Sequence, residues 1–191
     1  RRRAGRGIEP ATQGIFCAAA AVNEQQATAK GKLSITIRIA EQTLALHDAS
    51  GGLIKQCSVS TAANGPGELM GSNCTPRGRH IIRAKIGAGA AANTVFVGRR
   101  PTGEIYSPEL KEQFPKRDWI LTRILWLSGC EVGFNRLGNV DTMRRYIYIH
   151  GTPDSVTLGV PGSIGCVRMR NADIVSLFER VRAGTPVHIV E

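Results

Sequence analysis

The segments Ile149-His150-Gly151-Thr152 and Gly162-Ser163-Ile164-Gly165-Cys166-Val167-Arg168-Met169 bring a histidine and a cysteine close together in the chain. A free thiol with a pKa of about 8.5 is mostly protonated at neutral pH, so its nucleophilic chemistry needs a base. The imidazole of His150 is such a base, and the guanidinium of Arg168 favours the resulting anion. Gly165 lets backbone N–H groups turn toward a developing oxyanion. These residues indicate acyl transfer through a thioester, although a purely structural cysteine–histidine pair has the same spacing.

Alternation of apolar and polar residues from Leu33 onward predicts a mainly β domain. The alternation runs through Ile39 and continues at Leu44 and Leu46, which indicates strands with one buried face. A turn over residues 48–52 and a strand over 53–61 complete a predicted hairpin.

The rest of the chain alternates short strands with loops and ends with one helix. The predicted elements are a loop over 62–74, a turn and strand over 75–82, a short strand over 95–97, an exposed loop or lid over 99–117, a helix or strand over 119–127, a strand over 146–150 that ends in the histidine, a helix capped by Asn171, and a closing strand over 187–190. The pattern predicts a mostly β domain with a late α-helix.

The chain is strongly basic. Lys and Arg number 25 against 15 Asp and Glu, which gives a net charge of +10 and a pI near 10.0. Such a surface attracts polyanions, including a carboxylate-rich wall polymer, or serves only to keep the protein soluble. Aromatic residues make up 5% of the chain and do not interleave with basic ones, so we predict no nucleic-acid partner. No apolar run is long enough to predict a transmembrane segment.

The five cysteines are not arranged as a metal site. Cys17, Cys57, Cys74, Cys130 and Cys166 include no C-x-x-C pair, so we predict neither a metal nor a cofactor. Their odd number leaves at least one thiol free, and no disulfide is predicted. The surroundings of Cys57 and Cys130 predict small buried residues.

Residues 1–32 differ in composition from the rest of the chain. A cluster of arginines precedes a short alanine-rich apolar run, a weak likeness to an export signal. We predict a poorly ordered N-terminal extension that is a possible remnant of such a signal, or a tail without function, followed by a catalytic domain over 33–191.

The histidine and cysteine segments together resemble the signature of the L,D-transpeptidase catalytic domain (YkuD) family. In that family a histidine precedes an S-x-G-C-[IV]-R segment by about the distance found here. Thr75-Pro76-Arg77-Gly78 is similar to the family's T-P-x-G turn, and the opening hairpin fits its first strands. The resemblance spans roughly residues 33–190 and implies a single-domain β-sandwich. One departure is Ile164, because many members have a second histidine there.

The resemblance implies a role for each matched residue. Cys166 is the nucleophile that attacks the diamino-acid carbonyl of a peptidoglycan tetrapeptide stem and releases D-alanine. His150 is the base, the carbonyl of Gly151 orients its imidazole, and N–H groups of Gly165 and Cys166 form the oxyanion hole. The implied substrate-binding residues are Ser163, Ile164 and Arg168, and Arg168 also supports the catalytic loop.

The resemblance leaves the acceptor of the acyl group open. An amine of a second stem gives a 3→3 cross-link, an envelope protein gives protein attachment, and water gives an L,D-carboxypeptidase or another cysteine peptidase. A non-catalytic wall-binding module on the same fold is a further alternative. The substrate implies the periplasm or cell envelope, and it makes carbapenems expected inhibitors.

Overall fold

Apolar residues at every second position generate the strands of this protein. In Ser34–Arg38 and Thr43–His47 the buried positions alternate with accessible ones, because successive side chains of a strand point to opposite faces. The structure, a computed structural model, describes residues 32–191, and these form one unit. The extension predicted over 1–32 lies outside the described residues except for Lys32.

Ten strands join into one hydrogen-bonded sheet. They are β1 (Ser34–Arg38), β2 (Thr43–His47), β3 (Leu53–Ser58), β4 (Gly78–Ile86), β5 (Thr94–Val97), β6 (Arg100–Ile105), β7 (Ile120–Gly129), β8 (Tyr148–Thr152), β9 (Val167–Arg170) and β10 (Pro186–Val190). The order is β3-β2-β1-β10-β4-β7-β5-β6, and β8 pairs with both β7 and β9. The first and last strands pair in parallel, and so do β8 and β9.

In residues 32–191, two α-helices and a short 3-10 helix complete the fold. The helices are α1 (Pro108–Gln113) and α2 (Asn171–Arg180), and the 3-10 helix is Gly138–Val140. Helix α2 buries Ile174, Leu177 and Phe178 in the main core, together with apolar residues from β1, β2, β7 and β10. The predicted mainly β fold with a late helix after Cys166 is confirmed. Within the described residues, no helix is long and apolar enough to cross a membrane.

The opening strands form a three-stranded meander rather than one long hairpin. A turn interrupts the alternation after Ile39, and Gln42 lies in it with a φ of 52°. The Gln42 amide is buried, donates to the carbonyl of Ile39 and to Thr61 Oγ1, and accepts from the N–H of Thr61. A satisfied buried amide stabilises this turn. The buried apolar positions change phase across the turn, from odd numbers up to Ile39 to even numbers at Leu44 and Leu46, and this change was its signal in the sequence.

The segment predicted as an exposed loop over 99–117 contains regular structure, so that prediction is wrong. Strand β6 pairs with β5, and helix α1 begins after Ser107, whose hydroxyl accepts from the N–H of Leu110. Pro108 occupies the first turn of α1, where a missing N–H costs nothing. The ambiguous run over 119–127 is strand β7.

The structure corrects the elements around the two key residues. Strand β8 continues to Thr152, so His150 lies in the middle of a strand and not at its end. A strand, β9, separates Cys166 from the helix, whereas the sequence pattern suggested that the helix follows closely. Asn171 is the first residue of α2 and not its cap, because its side chain makes tertiary hydrogen bonds instead.

Candidate active site

His150 is held in one orientation by the backbone of its own strand. Its Nδ1 lies 2.7 Å from the carbonyl oxygen of Gly151, so Nδ1 carries the proton and donates to that oxygen. The side chain is fully buried, and Nε2 has no hydrogen-bond partner within the described structure. The imidazole therefore presents an unshared nitrogen lone pair inside the site, which is the group that a general base needs.

The Cys166 thiol lies beside the start of the same strand. The N–H of Tyr148 donates to Cys166 Sγ at 3.3 Å, and the thiol approaches the carbonyl of Tyr146 at 3.6 Å. Parallel pairing sets His150 opposite Arg168, two residues beyond Cys166, so the cysteine and histidine belong to the same face. No hydrogen bond joins the thiol to the imidazole here, and such contacts often tighten only when substrate binds.

Burial keeps both groups neutral in the resting protein. It raises the pKa of the Cys166 thiol to about 12, and the nearby charge of Asp118 adds to this, while the Tyr148 N–H, Arg168 and Arg145 oppose it. Burial also lowers the pKa of His150, against the opposing effect of Asp118. The sequence favoured an anionic thiolate beside Arg168. The structure instead places a neutral thiol beside a neutral imidazole.

Gly151 is a glycine because a polar network fills the space beside it. A Cβ at this position would collide with Asn171 Oδ1 and would lie 2.7 Å from the carbonyl oxygen of Leu121. Asn171 accepts a hydrogen bond from Thr122 Oγ1 and donates to Asn93 Oδ1 at 2.7 Å. The network joins α2, a bulge in β7 and the loop before β5, and it packs against Gly151, whose carbonyl orients the histidine.

The loop before Cys166 is stabilised from within. Ser163 is buried, and its hydroxyl donates to the carbonyl of Cys166 and accepts the N–H of Gly165 at 3.2 Å. Gly165 has a φ of 129°, which an L side chain rarely adopts. The N–H of Gly165, predicted as an oxyanion donor, is therefore engaged by Ser163 in this conformation.

Arg168 bridges the catalytic loop and a carboxylate that sequence reasoning missed. One nitrogen donates to the carbonyl of Gly162 at 2.9 Å, and another forms a 2.8 Å ion pair with Asp118. Asp118 lies fifty residues earlier in the chain. Its only sequence signal was its place directly after the predicted exposed loop or lid over 99–117. The pair brings a negative charge close enough to affect both Cys166 and His150.

A cleft of about 300 Å³ opens beside this ion pair. Its lining includes Arg168, Asp118, Trp119 and Ile164, and the Ile164 side chain is 60% exposed. Neither Cys166 nor His150 lines the cleft, so it adjoins the reacting groups without containing them. The substrate contact of Ile164 stays a prediction.

The T-P-x-G turn and a second arginine hold the loop next to the nucleophile. Thr75 is buried, donates to the carbonyl of Gly165 at 3.0 Å, and accepts the N–H of Ala62. Arg145 donates to the carbonyls of Gly67, Glu68 and Cys74 and to a serine hydroxyl. The arginine is half-buried and adds positive potential at the thiol. No sequence motif marks it.

The other polar candidates lie apart from this site. The described cysteines are free thiols, and Cys130 is exposed, so the prediction that it is buried is wrong. Asp141 is a turn residue that accepts the N–H groups of Leu137 and Arg144. Across residues 32–191, no group of three or more His, Cys, Asp or Glu side chains could hold a metal.

Comparison with known proteins identifies the family of this chain through a family model. The model of the L,D-transpeptidase catalytic domain (YkuD) matches residues 32–189. The probable L,D-transpeptidase YbiS of Escherichia coli strain K12 is 47% identical over 47 residues, which are 25% of this chain and 15% of that protein.

Two solved structures share the fold. Bdellovibrio bacteriovorus Bd1075 has a TM-score of 0.52 at 16% identity over 84% of this chain and 48% of its own. The L,D-transpeptidase LdtMt1 in complex with imipenem has a TM-score of 0.50 at 18% identity, covering 83% and 59%. The chain thus spans well under two thirds of the proteins that it matches. Because the family model covers nearly the whole described chain, this protein belongs to the L,D-transpeptidase catalytic domain family.

Proposed function

We propose that the domain over 33–191 is a cysteine-dependent peptidoglycan L,D-transpeptidase. The Cys166 sulfur attacks the diamino-acid carbonyl of a tetrapeptide stem, the bond to the terminal D-alanine breaks, and the acyl group remains on sulfur as a thioester. An amine of a second stem then attacks the thioester, which forms a 3→3 cross-link and frees the thiol. The observation that carries this proposal is the buried, unpartnered Nε2 of His150 on the strand whose first N–H contacts the Cys166 thiol.

The imidazole of His150 transfers the proton in both halves of the reaction. Nε2 of His150 accepts the thiol proton as the C–S bond forms and delivers it to the nitrogen of the departing D-alanine. In the second half the same nitrogen removes a proton from the attacking amine and returns it to the departing Cys166 sulfur. The Nδ1–H bond to the carbonyl of Gly151 stabilises the imidazolium that forms in each half, a part that a carboxylate plays in serine proteases.

The developing oxyanion is stabilised by backbone N–H groups of the cysteine loop. The N–H of Cys166 is one donor, and the N–H of Gly165 becomes the second when it leaves Ser163 Oγ on substrate binding. Arg168 holds the loop through the carbonyl of Gly162, and with Ile164 it forms the substrate-facing side of the cleft.

The proposed substrate determines the cellular compartment in which we expect the protein. Peptidoglycan stems lie in the periplasm or cell envelope, where the basic surface of this chain is attracted to their carboxylates. An envelope protein is a second class of acyl acceptor. Imipenem bound to LdtMt1 supports the expectation that a carbapenem acylates Cys166.

One alternative shares the site and differs in the acceptor. If water resolves the thioester, the protein is an L,D-carboxypeptidase or a related cysteine peptidase. The residues that line the cleft beside Ile164 do not by themselves select between an amine and water. A non-catalytic wall-binding module would use only the basic surface and would not need the buried histidine.

A defined tetrapeptide stem tests the reaction. We expect the protein to release D-alanine, and to form a cross-linked dimer when a second stem supplies the amine. Cys166→Ala should abolish both products while retaining the thermal unfolding temperature. Release of D-alanine without any dimer identifies the carboxypeptidase. Unchanged turnover by Cys166→Ala contradicts both reactions, and salt-sensitive binding to intact peptidoglycan without any turnover identifies the wall-binding module.

A further inference from the structure

A second surface adjoins the thiol on the side of Tyr146 and Tyr148. We call Trp126, Tyr146 and Tyr148 the aromatic shelf. The ring centroid of Trp126 lies 6.4 Å from that of Tyr146 and 6.5 Å from that of Tyr148. The Trp126 indole donates to the carbonyl of Met143 at 3.2 Å, which fixes the ring. The thiol contacts backbone atoms of both tyrosines, so the shelf begins at the nucleophile.

The shelf holds the guanidinium of Arg99 in place. The guanidinium carbon lies 4.3 Å from the centroid of Trp126 and 5.0 Å from that of Tyr146, and Nη1 donates to the hydroxyl of Tyr148 at 3.1 Å. Tyr148 thus touches the thiol with its backbone N–H and Arg99 with its phenol. The guanidinium lies one tyrosine side chain away from the reacting sulfur.

A tight turn with positive φ values places Arg99 on the aromatic shelf. Val97 pairs with Arg100, so Gly98 and Arg99 form a two-residue hairpin turn with φ values of 54° and 67°. Such turns ordinarily use Asn, Asp or Gly, because other side chains are strained at positive φ. Tyr146 also has a positive φ, of 57°. Two bulky residues that meet in strained conformations beside a nucleophile point to a functional arrangement.

The charge on the shelf has no counter-ion of its own. A second guanidinium, that of Arg83, lies 5.4 Å from the Trp126 centroid and projects from a bulge in β4. Within residues 32–191, neither Arg83 nor Arg99 takes part in an ion pair, although Arg77, Arg117 and Arg168 each pair with a carboxylate. A guanidinium held against aromatic rings keeps donors free in a planar fork, the geometry that binds a carboxylate with two hydrogen bonds.

We infer that Arg99, held on the aromatic shelf, binds a carboxylate of a stem peptide and so positions the peptide at Cys166. This inference rests on the proposed function, since stem peptides supply the carboxylates. The carboxylate belongs either to the donor stem, close to the bond that is cleaved, or to the acceptor stem. Arg83 adds positive potential at the same ring. The shelf and the Arg168 cleft flank the nucleophile with two different arginines.

The test compares Arg99→Asn with Arg100→Asn. Asparagine tolerates the left-handed turn at position 99, and Arg100 is an exposed neighbour in the same hairpin, so the pair removes equal charge with little strain. We expect Arg99→Asn to raise the KM for a stem by about ten- to a hundred-fold, the effect of losing a charged hydrogen bond, with kcat nearly unchanged. Arg100→Asn should leave the KM unchanged, and Arg99→Lys should recover part of the loss.

Stems amidated at one carboxylate at a time identify the group that is bound. The stem that lacks the bound carboxylate should be insensitive to Arg99→Asn, and varying donor and acceptor separately shows which stem carries it. Calorimetric binding of the same peptides to Cys166→Ala protein gives a readout without turnover. Equal affinities for Arg99→Asn and Arg100→Asn in that background overturn the inference. Absence of turnover by the wild-type protein overturns the proposed function instead.

Discussion

Alkylation of Cys166 across a series of pH values tests the electrostatics of the site. Only the thiolate reacts with iodoacetamide, so the rate follows the ionised fraction. Burial raises the pKa of this thiol from 9.0 to about 12, with the charge of Asp118 acting in the same direction. The expected profile therefore rises through the alkaline range and has no plateau near neutral pH.

The expected difference in alkylation rate follows from the ionised fractions of the two thiols. At pH 7.5 a thiol with a pKa of 9.0 is about 3% ionised, whereas one with a pKa of 12 is about 0.003% ionised. Alkylation of Cys166 should be about a thousand-fold slower than alkylation of a synthetic peptide covering Ser163–Met169. The rate should increase about tenfold for each pH unit between 7 and 10.

Peptide mass spectrometry after quenched labelling measures each cysteine separately, and the exposed Cys130 reports on the reagent in the same sample. Asp118→Asn removes a charge that opposes the thiolate, so it should accelerate labelling of Cys166. Arg168→Gln removes a charge that favours the thiolate, so it should slow labelling. A plateau near pH 7 in the wild-type protein would show a preformed thiolate–imidazolium pair and would refute the neutral resting state.

Two further predictions concern stability. Burial lowers the pKa of His80 to about 4, so below pH 6.5 the unfolded chain binds a proton that the folded protein does not. The free energy of unfolding should fall by about 3 kcal/mol between pH 6.5 and 4 through this residue, and chemical denaturation of His80→Gln should show a shallower dependence on pH. Gly151→Ala should lower the thermal unfolding temperature, because the added Cβ would collide with the Leu121 carbonyl oxygen and the Asn171 amide. An unchanged melting curve by calorimetry would show that the network around Asn171 can move aside.

Local pattern was enough to predict the opening strands and the residue types of the key segment. Alternation at Ile35 and Ile37 predicts a strand with one buried face, because a period of two is the geometry of the pleat, and both residues are buried. The cysteine, the histidine and the flanking glycines identified the family, because each supplies a chemical group that the reaction needs. Regular elements inside 99–117 escaped detection because their apolar residues are few and their stability comes from pairing with β5 and from a cap.

Tertiary structure decided the contacts and the ionisation of the catalytic groups. Asp118 pairs with Arg168 across fifty residues, and Arg145 reaches carbonyls more than seventy residues away, so no local pattern contains either contact. Burial reverses the expected ionisation of Cys166, because desolvation depends on everything packed around the thiol. Residue types in sequence determine which reactions are available. Only the folded chain determines the distances, the dielectric environment and the neighbouring charges that set the protonation of Cys166 and His150. The fold also leaves Arg99 near these residues without a counter-ion in the described structure.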